Sequence, residues 1–390
     1  MEQQAYEELR ARIIDMIWTT LDPLEEQIED TESLPYDVLM PALREAGAFG
    51  LLVPPEYGGA GLTIRQYLPI IAEFAKIQGG IRVVVHVHNS FAHALSEIGS
   101  KEQRAAILPG VAEGTSSVAF ALTEPDHGTG ADLGTTATRD GDEYVIDGRK
   151  WLITNSDFAT HFIVLAKTGP RAVSAILVER DTPGFTIEPM PETMGCKGGE
   201  HGILTFTGAR VPAETLIGAE GEGSQHLERA LEISRVFIAA SSLGTAQRAL
   251  ELSLEHATRR VTFGKPIGER QAVQRYLAEM ATDVHALRYM IDDAAAKWDA
   301  GRRIPAEASM CKLFGLEAVG RVTDRALLVF GGAGYTRKHP IERLYRDARL
   351  NWLEEGTPTI QHLVTARQFL DGYWWDDEFA GAHRPRLATG

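Results

Sequence analysis

Two adjacent carboxylates, Glu354 and Glu355, stand in the stretch LEEGTPTIQH (residues 353–362), directly ahead of Gly356. The next residues read as a helix start: Thr357 suits the N-cap, Pro358 the first helical position, and Ile360, Leu363 and Val364 open an apolar helical spacing. A helix start makes no demand for paired acids before it. A carboxylate on a loop beside a glycine is instead a residue type that can act as a positioned base, provided its surroundings raise its proton affinity towards the working pH. The residues alone do not say which of the two would act.

Other patterns able to carry chemistry are sparse. His86 and His88 are two apart, so on a helix they point in different directions and cannot share a metal. No CxxC, HExxH or GxSxG pattern occurs, which removes the common metal and serine-hydrolase readings. Cys196 and Cys311 are the only cysteines and lie far apart, against a disulfide framework. The run from Gly128 through Gly130 to Gly134 is one residue too long for a dinucleotide fingerprint and leads into β-rich sequence. Gly331, Gly332 and Gly334 follow helical sequence, not a strand, so both glycine clusters read as turns.

The elements that must position these residues fall into three regions of a 390-residue chain. Residues 1–119 show helical periodicity, with breaks expected at Pro35, Pro41 and the run LLVPPEYGGAGLT. Residues 120–224 carry β-branched runs (TTAT, YVI, FIVLA, AILV). Turns are expected between them at Asp140-Gly141, Asp147-Gly148, Gly169-Pro170 and Pro183-Gly184. Residues 225–390 return to long amphipathic helices and end in Trp374-Trp375 followed by an acidic run. Helices, then a β-unit, then helices is an α+β order, not the alternation of a doubly wound sheet. A net charge of −15 argues against a nucleic-acid surface, which needs clustered Lys and Arg. No apolar run reaches a membrane span and the N-terminal MEQQAYEELRAR does not read as a signal peptide, so the expected location is cytoplasmic, of the bacterial type, or a matrix-like space.

Six stretches in order resemble the acyl-CoA dehydrogenase family over nearly the whole chain: LLVPPEYGGAGL, AFALTEP, DGRKWLITN, RRVTFGKPIGERQAVQ, FGGAGYTRKHPIERLYRDARL and LEEGTPTIQHLVTAR. The resemblance implies an N-terminal helical domain, a middle antiparallel β-domain and a C-terminal four-helix bundle. It implies FAD, an acyl-CoA substrate in fatty acid metabolism, an electron-transfer flavoprotein as acceptor and a homotetramer. It makes the acid before Gly-Thr the catalytic base, here Glu355, while Glu354 occupies a place usually aromatic. The family's alternative base position, just before an arginine on a C-terminal helix, is here Ser234 ahead of Arg235, and serine cannot serve. By the same resemblance Glu355 removes the α-proton, flavin N5 accepts the β-hydrogen, and the Glu355 N–H with a ribityl hydroxyl polarises the thioester oxygen.

The residues that the resemblance assigns to FAD are Phe120, Leu122, Thr123, Thr129, Leu152 and Thr154 in the middle region. Arg260, Phe263 and Gln271 would reach a neighbouring subunit's FAD, and Gly331, Gly332, Thr357 and Thr359 its adenosine side. Ser234, Arg235 and Gly356 are expected beside substrate. Three departures stand out. The loop DHGTGAD is two residues longer than usual, with Ala131 where serine is expected. Leu152 replaces an aromatic, with Trp151 displaced by one, which in a strand sends the indole to the opposite face. Leu328 replaces a glutamine.

Arg82, in GGIRVVVHVHNSF, falls where glutaryl-CoA dehydrogenases bind a distal carboxylate, although Ala75 and Val83 replace that subgroup's acid and serine. The alternatives are therefore an acyl-carrier-protein substrate, a dicarboxylyl-CoA substrate, or an oxygen-using oxidase on the same fold.

Overall fold

The computed structural model describes residues 1–128, 132–190, 193–199 and 201–374. Thr129, Ala131 and the acidic run after Trp375 lie outside the described residues. The chain divides into two compact units, Met1–Leu231 and Glu232–Gly390, with the boundary inside a long helix.

The first unit begins with helices α1 (Gln3–Met16), α2 (Glu25–Thr31), α3 (Tyr36–Ala46), α4 (Ile64–Phe74), α5 (Gly79–Ile98) and α6 (Lys101–Glu113). Capping boxes start two of them, Thr63 with Gln66 at α4 and Ser100 with Gln103 at α6, each satisfying two otherwise orphaned backbone donors. Pro41 does not break the chain as expected: α3 runs through it. One missing backbone donor is tolerated there because Leu39, Leu43 and Ala46 bury a shared face. Helix α5 is buried along most of its length, and several of its polar side chains are hydrogen-bonded inside this unit. Asn89, for example, accepts from Leu51 N at 3.1 Å and donates to Ala48 O at 3.0 Å, tying the segment before the PPEYGG turn to the helix.

The strands of this unit are β1 (Val118–Ala121), β2 (Thr136–Asp140), β3 (Glu143–Thr154), β4 (His161–Lys167), β5 (Val173–Glu179), β6 (Phe185–Pro189), β7 (His201–Pro212) and β8 (Leu216–Ile217). They form one sheet in the order β6-β7-β3-β2-β4-β5-β8, with β1 added beside β4. Pairing is antiparallel except that β1, and one residue pair of β2, run parallel to β4. The unbroken apolar run of β4 is explained by burial on both faces. Ile163 and Leu165 meet α5 and α6, whereas Phe162, Val164 and Ala166 join a second core with Phe185, Leu204 and Phe206.

Asp147-Gly148, expected as a turn, lies inside β3. There β7 carries one extra residue, Gly208 takes φ 60°, and its N–H donates to Asp147 Oδ1 at 2.8 Å. A Cβ on Gly148 would come within 2.6 Å of Thr135, so the glycine serves close packing, not a reversal.

The second unit holds most of α7 (Gly223–Arg259), a short hairpin β9 (Val261–Thr262) and β10 (Lys265–Pro266), then α8 (Gln271–Asp299), α9 (Pro305–Phe330), α10 (Ile341–Ala348) and α11 (Pro358–Leu370). Ala246 and Ala249 of α7, Met280 of α8, Val319, Val322 and Ala326 of α9, and Ile341 and Leu344 of α10 share one core. Small residues on α7 and α9 let these helix backbones approach closely. Among the described residues no helix is long and apolar enough to cross a membrane, and no group of His, Cys, Asp and Glu could hold a metal.

Candidate active site

Glu355 is the middle residue of the link, Leu353 to Thr357, between a 3₁₀ turn (Leu350–Trp352) and α11. It is half-buried and left-handed, with φ 55°, and Gly356 follows at φ 92°. A left-handed non-glycine residue costs of order 1–2 kcal/mol and persists only where its surroundings compensate.

That compensation comes from three helices. Ser234 Oγ on α7 donates to Glu355 Oε1 at 2.9 Å, and Arg235 Nε reaches Glu355 O at 3.5 Å. Gln361 Nε2 on α11 donates to Glu355 O at 3.2 Å and to Gly356 O at 3.0 Å. Lys312 Nζ on α9 donates to Glu354 O and Gly356 O. The structure thus brings together Glu355, Ser234, Arg235 and Gly356, the residues expected beside substrate. Ser234 and Arg235 are buried, so their geometry is set by packing.

Lys312 and Gln361 were not anticipated. A lysine in the otherwise apolar ASMCKLFG was the available signal; it has no exposed surface at all. Burial pulls its pKa down to about 8, against the upward pull of Glu355 and Glu354, with Arg235 adding to the depression. Thr357 occupies the N-cap of α11 as expected, but its hydroxyl makes no capping bond.

In the first unit the two expected flavin segments meet. Strand β1 ends at Ala121, and the chain continues as Leu122-Thr123 alongside β3, where Trp151 N donates to Thr123 O at 2.8 Å. Between Lys150 and Ile153, β3 sets two residues, Trp151 and Leu152, against one on β7, a bulge in which Leu152 takes φ 58° and is 41% exposed. Strand alternation therefore cannot be carried across this point, and the expectation that Trp151 is displaced to the opposite face by parity is corrected. Thr154 ends the strand half-buried, opposite His201. Phe120 turns inward, its ring stacked on Phe91 at 4.7 Å.

Beneath this corner lies a second unanticipated group. Lys150 Nζ donates to Glu124 Oε1 at 2.8 Å and to Leu122 O at 3.0 Å, with both charged side chains buried. Glu124 also accepts from Gly134 N and Thr135 N. Burial would raise Glu124, but Lys150 and these backbone donors outweigh it and hold the carboxyl at about 2. Burial brings Lys150 down to about 8. The motif residues Glu124 and Lys150 thus fix the end of β1 to β3 and to the start of β2.

These features fit a flavin. An exposed leucine held in the left-handed region beside the exposed Thr123 combines an apolar face with a hydroxyl, which a planar hydrogen-bonding ring would cover. In the second unit Gly331, at φ 60° and ψ −139°, adopts a conformation reserved for glycine. Neither it nor Gly332 has an atom within 4 Å of where a Cβ would stand, leaving room for a ligand chain. Arg260, Gln271, Thr357 and Thr359 are exposed, and Phe263, 96% exposed with φ 49°, tips the β9–β10 hairpin. Leu328 is exposed as well. Arg82 is buried in α5, close enough to the buried Tyr67 to offset part of the rise that burial imposes on that phenol.

Comparison with known proteins gives matches along nearly the whole chain. The chain matches the family models for the acyl-CoA dehydrogenase N-terminal domain (residues 3–115), middle domain (119–209) and C-terminal domain (221–370). It is 36% identical over 370 residues to an acyl-CoA dehydrogenase of Bacillus subtilis (strain 168), covering 93% of this chain and 97% of that one. Butyryl-CoA dehydrogenase from Megasphaera elsdenii superposes with a TM-score of 0.91 at 30% identity, covering 95% and 99% of the two chains. An acyl-CoA dehydrogenase complexed with FAD from Bacillus anthracis superposes with a TM-score of 0.87 at 30% identity, covering 95% of this chain and 67% of that one.

Proposed function

Since the chain belongs to the acyl-CoA dehydrogenase family, we propose that it converts an acyl-CoA thioester to the trans-2-enoyl thioester, with Glu355 removing the α-proton. The observation that carries this reading is the Glu355 turn, whose flanking carbonyls are all tied to helices while its carboxylate stays half-exposed and oriented by Ser234. Such pre-organisation is what proton abstraction from carbon requires, since the base must meet a weakly acidic C–H at short range.

FAD, when bound, supplies the two-electron oxidant that takes the β-hydrogen. Thr123, Leu152 and Thr154 would hold its ring. Arg260, Phe263, Gln271, Gly331, Gly332, Thr357 and Thr359 would serve its nucleotide side, some of them across a subunit boundary. Exposed apolar side chains on the second unit, among them Leu353, Leu363, Leu370 and Tyr335, support assembly into a homo-oligomer, with a homotetramer as the proposed form. An electron-transfer flavoprotein is the proposed acceptor, and the cytoplasm the proposed location.

The test is anaerobic bleaching of the purified protein's flavin band by short straight, long straight, branched and dicarboxylic acyl-CoAs. Rapid bleaching by one class establishes the reaction and names the substrate. Bleaching by the dicarboxylic member, lost in Arg82→Met, would assign Arg82 to a distal carboxylate. Failure of every CoA ester with FAD bound would transfer the reading to an acyl-carrier-protein thioester. Peroxide formed at the rate of turnover in air would mark an oxidase.

A further inference from the structure

Lys312 differs from the buried ion pairs among the described residues in what it binds. Glu124 and Lys150 neutralise one another, and Arg343 meets Asp347 at 3.2 Å. Lys312 directs its ammonium instead at two backbone carbonyls, those of Glu354 and Gly356, which flank the proposed base. Burying a cation against neutral oxygens is costly, and methionine would fill the same slot on α9.

The geometry of the peptide unit supplies a reason for the cation. A trans peptide is planar, with C=O and N–H on opposite sides, and no cis bond occurs among the described residues. Drawing the Glu354 carbonyl towards α9 therefore turns the N–H of Glu355 away from α9. Drawing the Gly356 carbonyl the same way closes the turn that holds Glu355 at φ 55°. Gln361 alone cannot do this, because its amide reaches the carbonyls of Glu355 and Gly356 but not that of Glu354.

We infer that Lys312 is a positioning residue for the reaction: by gripping the carbonyls on either side of Glu355 it turns the N–H of that residue away from α9 and fixes the turn that carries its carboxylate. The inference rests on Glu355 being the base. Lys312 has no exposed surface, so its action on the reaction runs through Glu355. The charged groups facing it are Glu354 and Glu355 from the loop and Arg235 from α7.

The test compares wild type, Lys312→Met, Glu355→Gln and the double variant as FAD-loaded proteins, using the acyl-CoA found best in the bleaching panel. A second readout is exchange of the α-hydrogen of the matching 3-thia-acyl-CoA with D2O, which reports proton removal alone because sulfur at that position has no hydrogen to lose. Lys312→Met should lower kcat and the exchange rate together, by about 10- to 100-fold, with KM changed less than about threefold, as expected when an interaction acts chiefly in the transition state. The double variant should be no slower than Glu355→Gln, because both changes act through one group.

Unchanged kcat in Lys312→Met overturns the inference, and so does a double variant slowed by the full factor of each single change. Should Lys312→Met fail to fold, Lys312→Gln, which keeps one donor group, should show a smaller loss in kcat with KM intact. Failure of both to fold would assign Lys312 to stability alone and overturn the positioning role. A Glu355→Gln variant as active as wild type would instead remove the reading beneath it, a result separable from any behaviour of Lys312.

Discussion

Ser234 Oγ donates to Glu355 Oε1 across 2.9 Å, so the two positions at which the family resemblance places a base are in direct contact in this chain. One holds the carboxylate and the other a hydroxyl that orients it. The loop carboxylate and the helix position are thus two ends of one hydrogen bond. This explains how a residue unable to act as a base can still occupy a buried place beside the proposed base.

Glu355→Gln keeps the size of the side chain and a partner for Ser234 while removing the basic oxygen. FAD content should be unchanged, and anaerobic flavin bleaching by the best acyl-CoA should slow by about 10²–10⁴-fold, the usual worth of a positioned base. Bleaching at the wild-type rate would place the base elsewhere.

Ser234→Ala removes one hydrogen bond to that carboxylate and leaves the loop's backbone ties in place. A loss of roughly 1 kcal/mol, about fivefold in kcat, is expected with flavin binding intact. Steady-state kinetics that cannot be told from wild type would show that Lys312 and Gln361 suffice to orient Glu355.

Lys150→Met leaves the Glu124 carboxylate buried without its cation, and breaking such a pair from one side costs about 3–5 kcal/mol. Thermal unfolding should show a marked drop in Tm, and the double variant Lys150→Met with Glu124→Gln should recover part of it. A single variant as stable as wild type would contradict the view that this pair locks β1 to β3.

His88 is buried, its Nε2 donating to Val111 O at 3.1 Å and its Nδ1 lying 3.2 Å from Ser117 Oγ, and burial depresses its pKa from the ordinary 6.5 to about 4. The folded state then binds fewer protons than the unfolded one between these values. Stability is full above pH 6.5 and is lost as pH falls towards 4, by roughly 2 kcal/mol between pH 7 and pH 5. Urea unfolding at the two pH values should show a loss of that order, smaller in His88→Gln. An equal loss in both proteins would assign the acid sensitivity to other groups.

Much of the architecture was legible because burial leaves periodic marks. The β-branched runs became β2 to β5, and the Thr357-Pro358 start of α11 fell where the capping pattern put it. Misreadings came where tertiary packing outweighs a local preference. Pro41 sits inside α3 because a buried face repays one lost bond, and Asp147-Gly148 is a packed bulge site because Thr135 lies against the glycine. Trp151 and Leu152 could not be assigned faces by counting, since one extra residue in β3 resets the alternation.

For the site itself, residue order within motifs was enough to propose the base loop and the flavin segments, since each is contiguous in the chain. What only the tertiary structure decided are the partners that lie far off in sequence: Ser234 and Lys312 around Glu355, and Lys150 beneath Glu124. A hydrogen bond acts over about 3 Å in space and leaves no periodic trace in a sequence. Serine on α7 and lysine on α9 therefore gain their meaning only when the helices that carry them close around the same turn.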